Sequence, residues 1–113
     1  MTLTMSDYQF IAVHSTCENR ETLARIATDL VENRLAACVQ ISGPVESIYV
    51  WNGSQQTGQE WLLVAKTSRS MFGQVSQRIR SIHTYDVPEI IAVPLVQVSE
   101  SYQAWMESML KAN

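Results

Sequence analysis

The segment HTYDVPEIIAVPL, His83 to Leu95, places His83, Tyr85, Asp86 and Glu89 within seven residues, just ahead of an apolar run. An imidazole paired with a thiolate is a borderline-to-soft donor set suited to copper or zinc, and Cys17 is the thiol to weigh beside His83. The chain has only two histidines, so a closed four-ligand centre within one subunit is short of donors. His14 and Cys17 have HxxC spacing, but three residues apart on a strand they face opposite sides. A hydrolytic site needs a nucleophile, a base and an orienting group. Cys17, His83 and Asp86 supply those types, yet no GxSxG, HExxH or phosphate-loop pattern surrounds them. The structural alternative is a buried thiol, a helix-end histidine, core or interface aromatics at Trp51 and Tyr85, and a chain-end or interface role for Glu89.

A sheet must position these groups. Residues 8–17 are β-prone and end in small polar residues, as a strand running into a helix does. In residues 19–36, Leu23, Ile26, Ala27, Leu30 and Val31 recur at helical spacing behind Asn19, a capping residue. Residues 36–51 form a long strand interrupted at Gly43 and Pro44, which predicts a kink or bulge, and NGSQQTGQ at 52–59 is expected to be a polar hairpin loop. A returning strand covers 60–68, and Phe72, Val75, Ile79 and Ile82 mark a second helix within 68–83. Residues Glu89 to Val98 supply a fourth strand. A third helix follows Ser99, with Tyr102, Trp105, Met106, Met109 and Leu110 on one stripe.

That order predicts an α+β fold of the ferredoxin-like, split βαβ type: an antiparallel sheet in order 4-1-3-2, two helices on one face, and an extra C-terminal helix. The strands FIAV, WLLVA, IIAV and PLV are nearly continuous apolar runs, whereas a sheet with one wet face alternates. The second face is therefore expected to be covered by the third helix and by identical subunits. This topology brings Cys17, the hairpin from Trp51 to Glu60, His83, Tyr85, Asp86 and Glu89 to one rim. Cys38 and Lys66 fall at the opposite rim, so the two cysteines cannot bridge.

Composition narrows the function classes. A chain of 113 residues reads as one domain over 1–113, with residues 1–6 flexible. Hydrophobic residues make up 46% and charged residues 17%, which describes a folded globule and not a disordered segment. A net charge of −3 supplies no basic field for nucleic acid. With no secretory signal pattern and no apolar stretch near ~20 residues, the expectation is a soluble cytoplasmic protein away from membranes, its cysteines reduced.

Five separated segments, NRLAACVQI, IYVWNG followed by EWLLVAKTS, HTYDVPEI and YQAWMESML, stand in the order seen in the CutA family of divalent-cation tolerance proteins, which this chain resembles over most of its length. The resemblance implies a ferredoxin-like subunit in a homotrimer, the long kinked strand pairing with a neighbour. It implies a non-enzymatic role in the response to metal ions, with Cu(II) or another divalent cation bound and no organic cofactor. His83 and Cys17 are the metal-ligand candidates carried over. Thr84 stands where the family usually has proline, Ile82 stands where some bacterial members have a second histidine, and the metal-associated cysteine of those members counts to Ser15. The same trimer plan is similar to that of PII-type signalling proteins. That likeness implies an alternative, a small-molecule sensor or adaptor with its ligand in an inter-subunit cleft lined by Trp51, Glu60, Tyr85 and Glu89. No protein partner other than a second copy is implied.

Overall fold

The computed structural model describes residues 8–112, and the expectation for residues 1–6 lies outside the described residues. The elements are β1 (Phe10–Cys17), α1 (Arg20–Glu32), β2 (Cys38–Trp51), β3 (Ser54–Ser68), α2 (Phe72–Ile82) entered through one 3-10 turn, β4 (Ile91–Pro94) and α3 (Glu100–Met109). The strands form one antiparallel sheet in the order β2-β3-β1-β4, the split βαβ arrangement expected from the element order.

Strand pairing sorts the side chains by face. Ile11 lies opposite Thr67, Val13 opposite Ala65 and Ser15 opposite Leu63, and all six are fully buried beneath the helices. Leu23, Ile26 and Leu30 of α1 and Val75 and Ile79 of α2 complete this core. Burial of each large aliphatic side chain is worth about 1.5–3 kcal/mol, which makes this the principal source of cohesion.

Asn19 caps α1 as its residue type suggests: Oδ1 accepts from the Glu21 N–H at 2.9 Å and the Thr22 N–H at 3.3 Å. The helix stops at Glu32, short of the expected residue 36, because Arg34 turns left-handed at φ 58°. The Arg34 N–H then donates to the Val31 carbonyl and the Leu35 N–H to the Leu30 carbonyl, a Schellman closure. No glycine marks this stop. The Arg34 guanidinium also donates to the carbonyls of Ser108 (2.8 Å) and Met109 (3.0 Å), so the residue that ends α1 also ties down the last turn of α3.

The loop expected at 52–59 is not there. β2 and β3 stay paired up to Trp51 opposite Ser54 and are joined by Asn52 and Gly53 alone, at φ 51° and 78°. Two positive φ angles in Asn-Gly fit the tight hairpin turn that matches strand twist. Residues 45–51 and 54–60 pair only with each other and project as a two-stranded ribbon, about 23 Å long at ~3.3 Å per residue. SQQTGQ looks like loop because this ribbon has no core beneath it to demand apolar alternation. At its base the register shifts between Ser42 and Val45 across a cis Gly43–Pro44 peptide, the break that the glycine and proline predicted.

β4 is also shorter than the expected Glu89 to Val98, and it pairs only with residues 11–14 of β1. Pro94 has no N–H to extend the ladder. The Leu95 N–H makes one further bond to the Phe10 carbonyl before the chain leaves the sheet. On the second face, α3 packs Met106 against Phe10 and Ala37, and the Lys66 ammonium lies 5.6 Å from the centre of the Tyr102 ring. Trp105 and Met109, expected on the buried stripe, remain about 40% exposed, and Ser99 occupies the N-cap position without a side-chain hydrogen bond. The rest of that face keeps Ile91 and Val93 exposed. Among the described residues, no helix is long and apolar enough to cross a membrane.

Candidate functional site: a groove at the sheet rim

His83 ends α2. Its N–H still donates to the Ile79 carbonyl at 2.8 Å, while its own backbone has already turned extended. Ring Nε2 lies 2.7 Å from the Thr16 carbonyl, and Nδ1 lies 3.0 Å from the Tyr85 amide nitrogen. A carbonyl can only accept and a backbone N–H can only donate. The ring is therefore the neutral Nε2–H tautomer, with its one lone pair in use.

Cys17 is fully buried on the helix-facing side of β1, and its Sγ has Thr84 Oγ1 at 3.8 Å. Ser15, two residues earlier on the same face, is also fully buried, with no protein partner for its hydroxyl among the described residues. His14 projects from the opposite face, as strand alternation requires. Cys38 pairs with Lys66 at the far rim, and both thiols are free. Among the described residues no three His, Cys, Asp or Glu side chains are grouped to hold a metal ion. A divalent ion does not fit His83 and Cys17 as they stand, since the imidazole lone pair is committed and the thiol sits in an apolar core. The hydrolytic combination of Cys17, His83 and Asp86 meets the same obstacle, because a base needs a free lone pair.

Tyr85 follows His83 on the same turn, the two ring centroids 4.6 Å apart and tilted by 57°. Its hydroxyl donates to Glu60 Oε2 at 2.9 Å and accepts from the Glu18 N–H at 2.9 Å. One phenol thus joins the end of β1, the base of the ribbon and the turn after α2. Burial, and then the hydrogen bond to Glu60, raise its pKa well above the ordinary 10, so it stays a neutral donor.

In front of this network lies an open groove of about 770 Å³. Tyr49, Trp51 and Glu60 of the ribbon form one wall, Tyr85 to Glu89 form the other, and Thr16 contributes to the floor. Trp51, Glu60, Tyr85 and Glu89 all line it; His83 and Cys17 do not. Tyr49 is a lining residue that the sequence reading does not single out. Its i, i+2 relation to Trp51 places both rings on one face of a strand, the signal by which it is found. No Lys or Arg lines the groove, and the only salt bridge among the described residues joins Arg78 to Asp29 between the two helices. Among the described residues, Glu60, Asp86 and Glu89 therefore face the groove without a salt-bridge partner. Neither Cys nor His is among its lining residues.

Fold and site together define a ferredoxin-like α+β chain with an aromatic, acidic groove at the base of a projecting ribbon. The sequence model of the CutA1 divalent ion tolerance protein matches residues 11–109, and the chain belongs to that family. It is 39% identical over 98 residues to the chloroplastic protein CutA of Arabidopsis thaliana, covering 87% of this chain and 54% of that one. To the divalent-cation tolerance protein CutA of Thermus thermophilus it is 41% identical over 91 residues, covering 80% of this chain and 88% of that one. Its fold is similar to the crystal structure of CutA1 from Oryza sativa, with a TM-score of 0.90 and 35% identity, covering 94% of this chain and 97% of that one. The chain spans about half the length of the plant relatives that it matches.

Proposed function

We propose that this chain acts as a non-catalytic, homotrimeric divalent-cation tolerance protein of the cytoplasm, with its ligand site in the rim groove where a neighbouring copy adjoins it. The observation that carries this reading is the apolar surface around the groove. Ile48, Val50 and Trp51 on the ribbon and Val87 beside it are each more than 60% exposed, and Ile91 on the adjacent edge strand is 50% exposed. Large apolar side chains left exposed in this number on the ribbon and beside it are normally covered in an assembly. The outer backbone edges of β2 and β4 add unpaired donors and acceptors that a second copy can satisfy.

The relation to divalent ions comes with the family. A copper-type ion on His83 and Cys17 is the finer form of that relation, and it requires the imidazole to release a backbone partner and another subunit to bring donors. Binding in the groove requires neither change, and the sensor or adaptor reading is therefore favoured over a built-in metal centre. Light scattering of the native protein should give three times the 12.8 kDa subunit mass. Calorimetric titration with Cu(II) and Zn(II) should give no micromolar site that depends on His83. A mass of one subunit overturns the assembly, and micromolar copper binding abolished by His83→Ala overturns the preference for the groove.

A further inference from the structure

We propose that the groove receives an organic cation, an ammonium or guanidinium group carried on an apolar body. This inference rests on the groove being the ligand site. Three aromatic rings, Tyr49, Trp51 and Tyr85, share the space with three carboxylates, Glu60, Asp86 and Glu89. Aromatic faces attract cations through the ring quadrupole, and most strongly where water is displaced. Carboxylates gathered in a concave surface focus a negative field in the same place. Since no basic side chain of this chain lines the groove, the field is not cancelled from within.

The alternatives fit less well. An anion or nucleotide would meet three unneutralised carboxylates and no Lys or Arg. A bare metal ion would leave the aromatic walls idle, and no three metal-donor side chains converge there among the described residues. The volume of about 770 Å³ lies within the ~300–1,000 Å³ typical of small-molecule sites, far more than one ion needs. Glu60 holds the Tyr85 hydroxyl through Oε2, which leaves Oε1 to accept from a ligand N–H. Val87, 82% exposed at the mouth, offers an apolar rest for the body of such a ligand.

The test uses the native assembly, titrated calorimetrically with spermidine, and with magnesium chloride and ATP at matched ionic strength. Saturable binding of spermidine is expected, with magnesium and ATP giving none. Trp51→Ala and Glu89→Gln should each weaken spermidine at least tenfold, and Glu89→Gln, outside the apolar surface that carries the assembly, should do so with the assembly mass unchanged. Absence of saturable spermidine binding, equal binding by both variants, or displacement of spermidine by equimolar magnesium overturns the cation inference. Binding of ATP that Trp51→Ala abolishes overturns it too, while leaving the groove as the ligand site. A one-subunit mass for the unsubstituted protein instead overturns the inter-subunit reading beneath it.

Discussion

Two glycine-to-alanine substitutions in this chain should move stability in opposite directions. Gly43 sits at the bulge with φ +139°, and a Cβ there would lie 3.1 Å from Trp61 Cε3, 3.2 Å from the Glu60 carbonyl oxygen and 3.3 Å from Trp61 Cα. Two of those neighbours are backbone atoms of the paired strand, so relief requires the ladder itself to shift. Holding a residue other than glycine in so sparsely populated a region costs about 1–3 kcal/mol, against about 0.4–1 kcal/mol recovered because alanine restricts the unfolded chain. The Cβ contacts add to the cost, and Gly43→Ala should destabilise by about 1–3 kcal/mol. Gly73 lies inside α2, and a methyl group added at its Cα would meet nothing within 4 Å, so Gly73→Ala should stabilise by about 1 kcal/mol through helix propensity alone. Urea unfolding followed by far-ultraviolet circular dichroism measures both. The protein concentration must be held fixed, because self-association would make apparent stability depend on it. If Gly43→Ala matches the unsubstituted protein within about 0.5 kcal/mol at unchanged mass, the bulge does not depend on a backbone reserved for glycine.

Arg34→Ala should lower amide-exchange protection in α3 while sparing α1, since its guanidinium spans two carbonyls of the α3 terminus; about 1 kcal/mol is expected for these exposed bonds. Asp29 is held below its ordinary 3.8 first by its hydrogen bond from Arg78, and burial opposes that shift. Its contribution is therefore present above that ordinary value and lost as pH falls through the lowered one, so Asp29→Asn should flatten the acid limb of a stability-pH profile. Tyr85 has the opposite sign: its raised pKa contributes stability that is present below pH 10 and lost as pH rises beyond it. Tyr85→Phe should remove that alkaline loss, as read by unfolding midpoints between about pH 9 and 11.

Sheet order and helix placement are legible in the residues because each helix carries a clean apolar stripe and each central strand an apolar run, and those patterns admit few connections. The ribbon is not, because a strand without a core beneath it has no periodicity to display; Asn52 and Gly53 are the available signal, and they share their composition with a longer loop. The pattern overextends α1 because Arg34, a good helix former, occupies a left-handed position usually given to glycine. At the site, the chemistry-bearing residues are identifiable by type and the shared rim by topology. The separation of Trp51, Glu60, Tyr85 and Glu89 in the groove from His83 and Cys17 behind it is not. That division depends on which side of the turn each side chain takes and on what each ring nitrogen bonds, and neither leaves a mark in residue spacing.

β4 ends its pairing with β1 at His14 opposite Ile91, yet two residues further along β1 the Thr16 carbonyl is still engaged, by the imidazole of His83. The side chain acts as a splint, supplying the rung that a longer β4 would have supplied and, through its other nitrogen, bracing the turn into Tyr85. A neutral imidazole suits this position because it is rigid and presents a donor and an acceptor on separate edges of one ring. Histidine therefore has a masonry role here, tying a strand end to a turn.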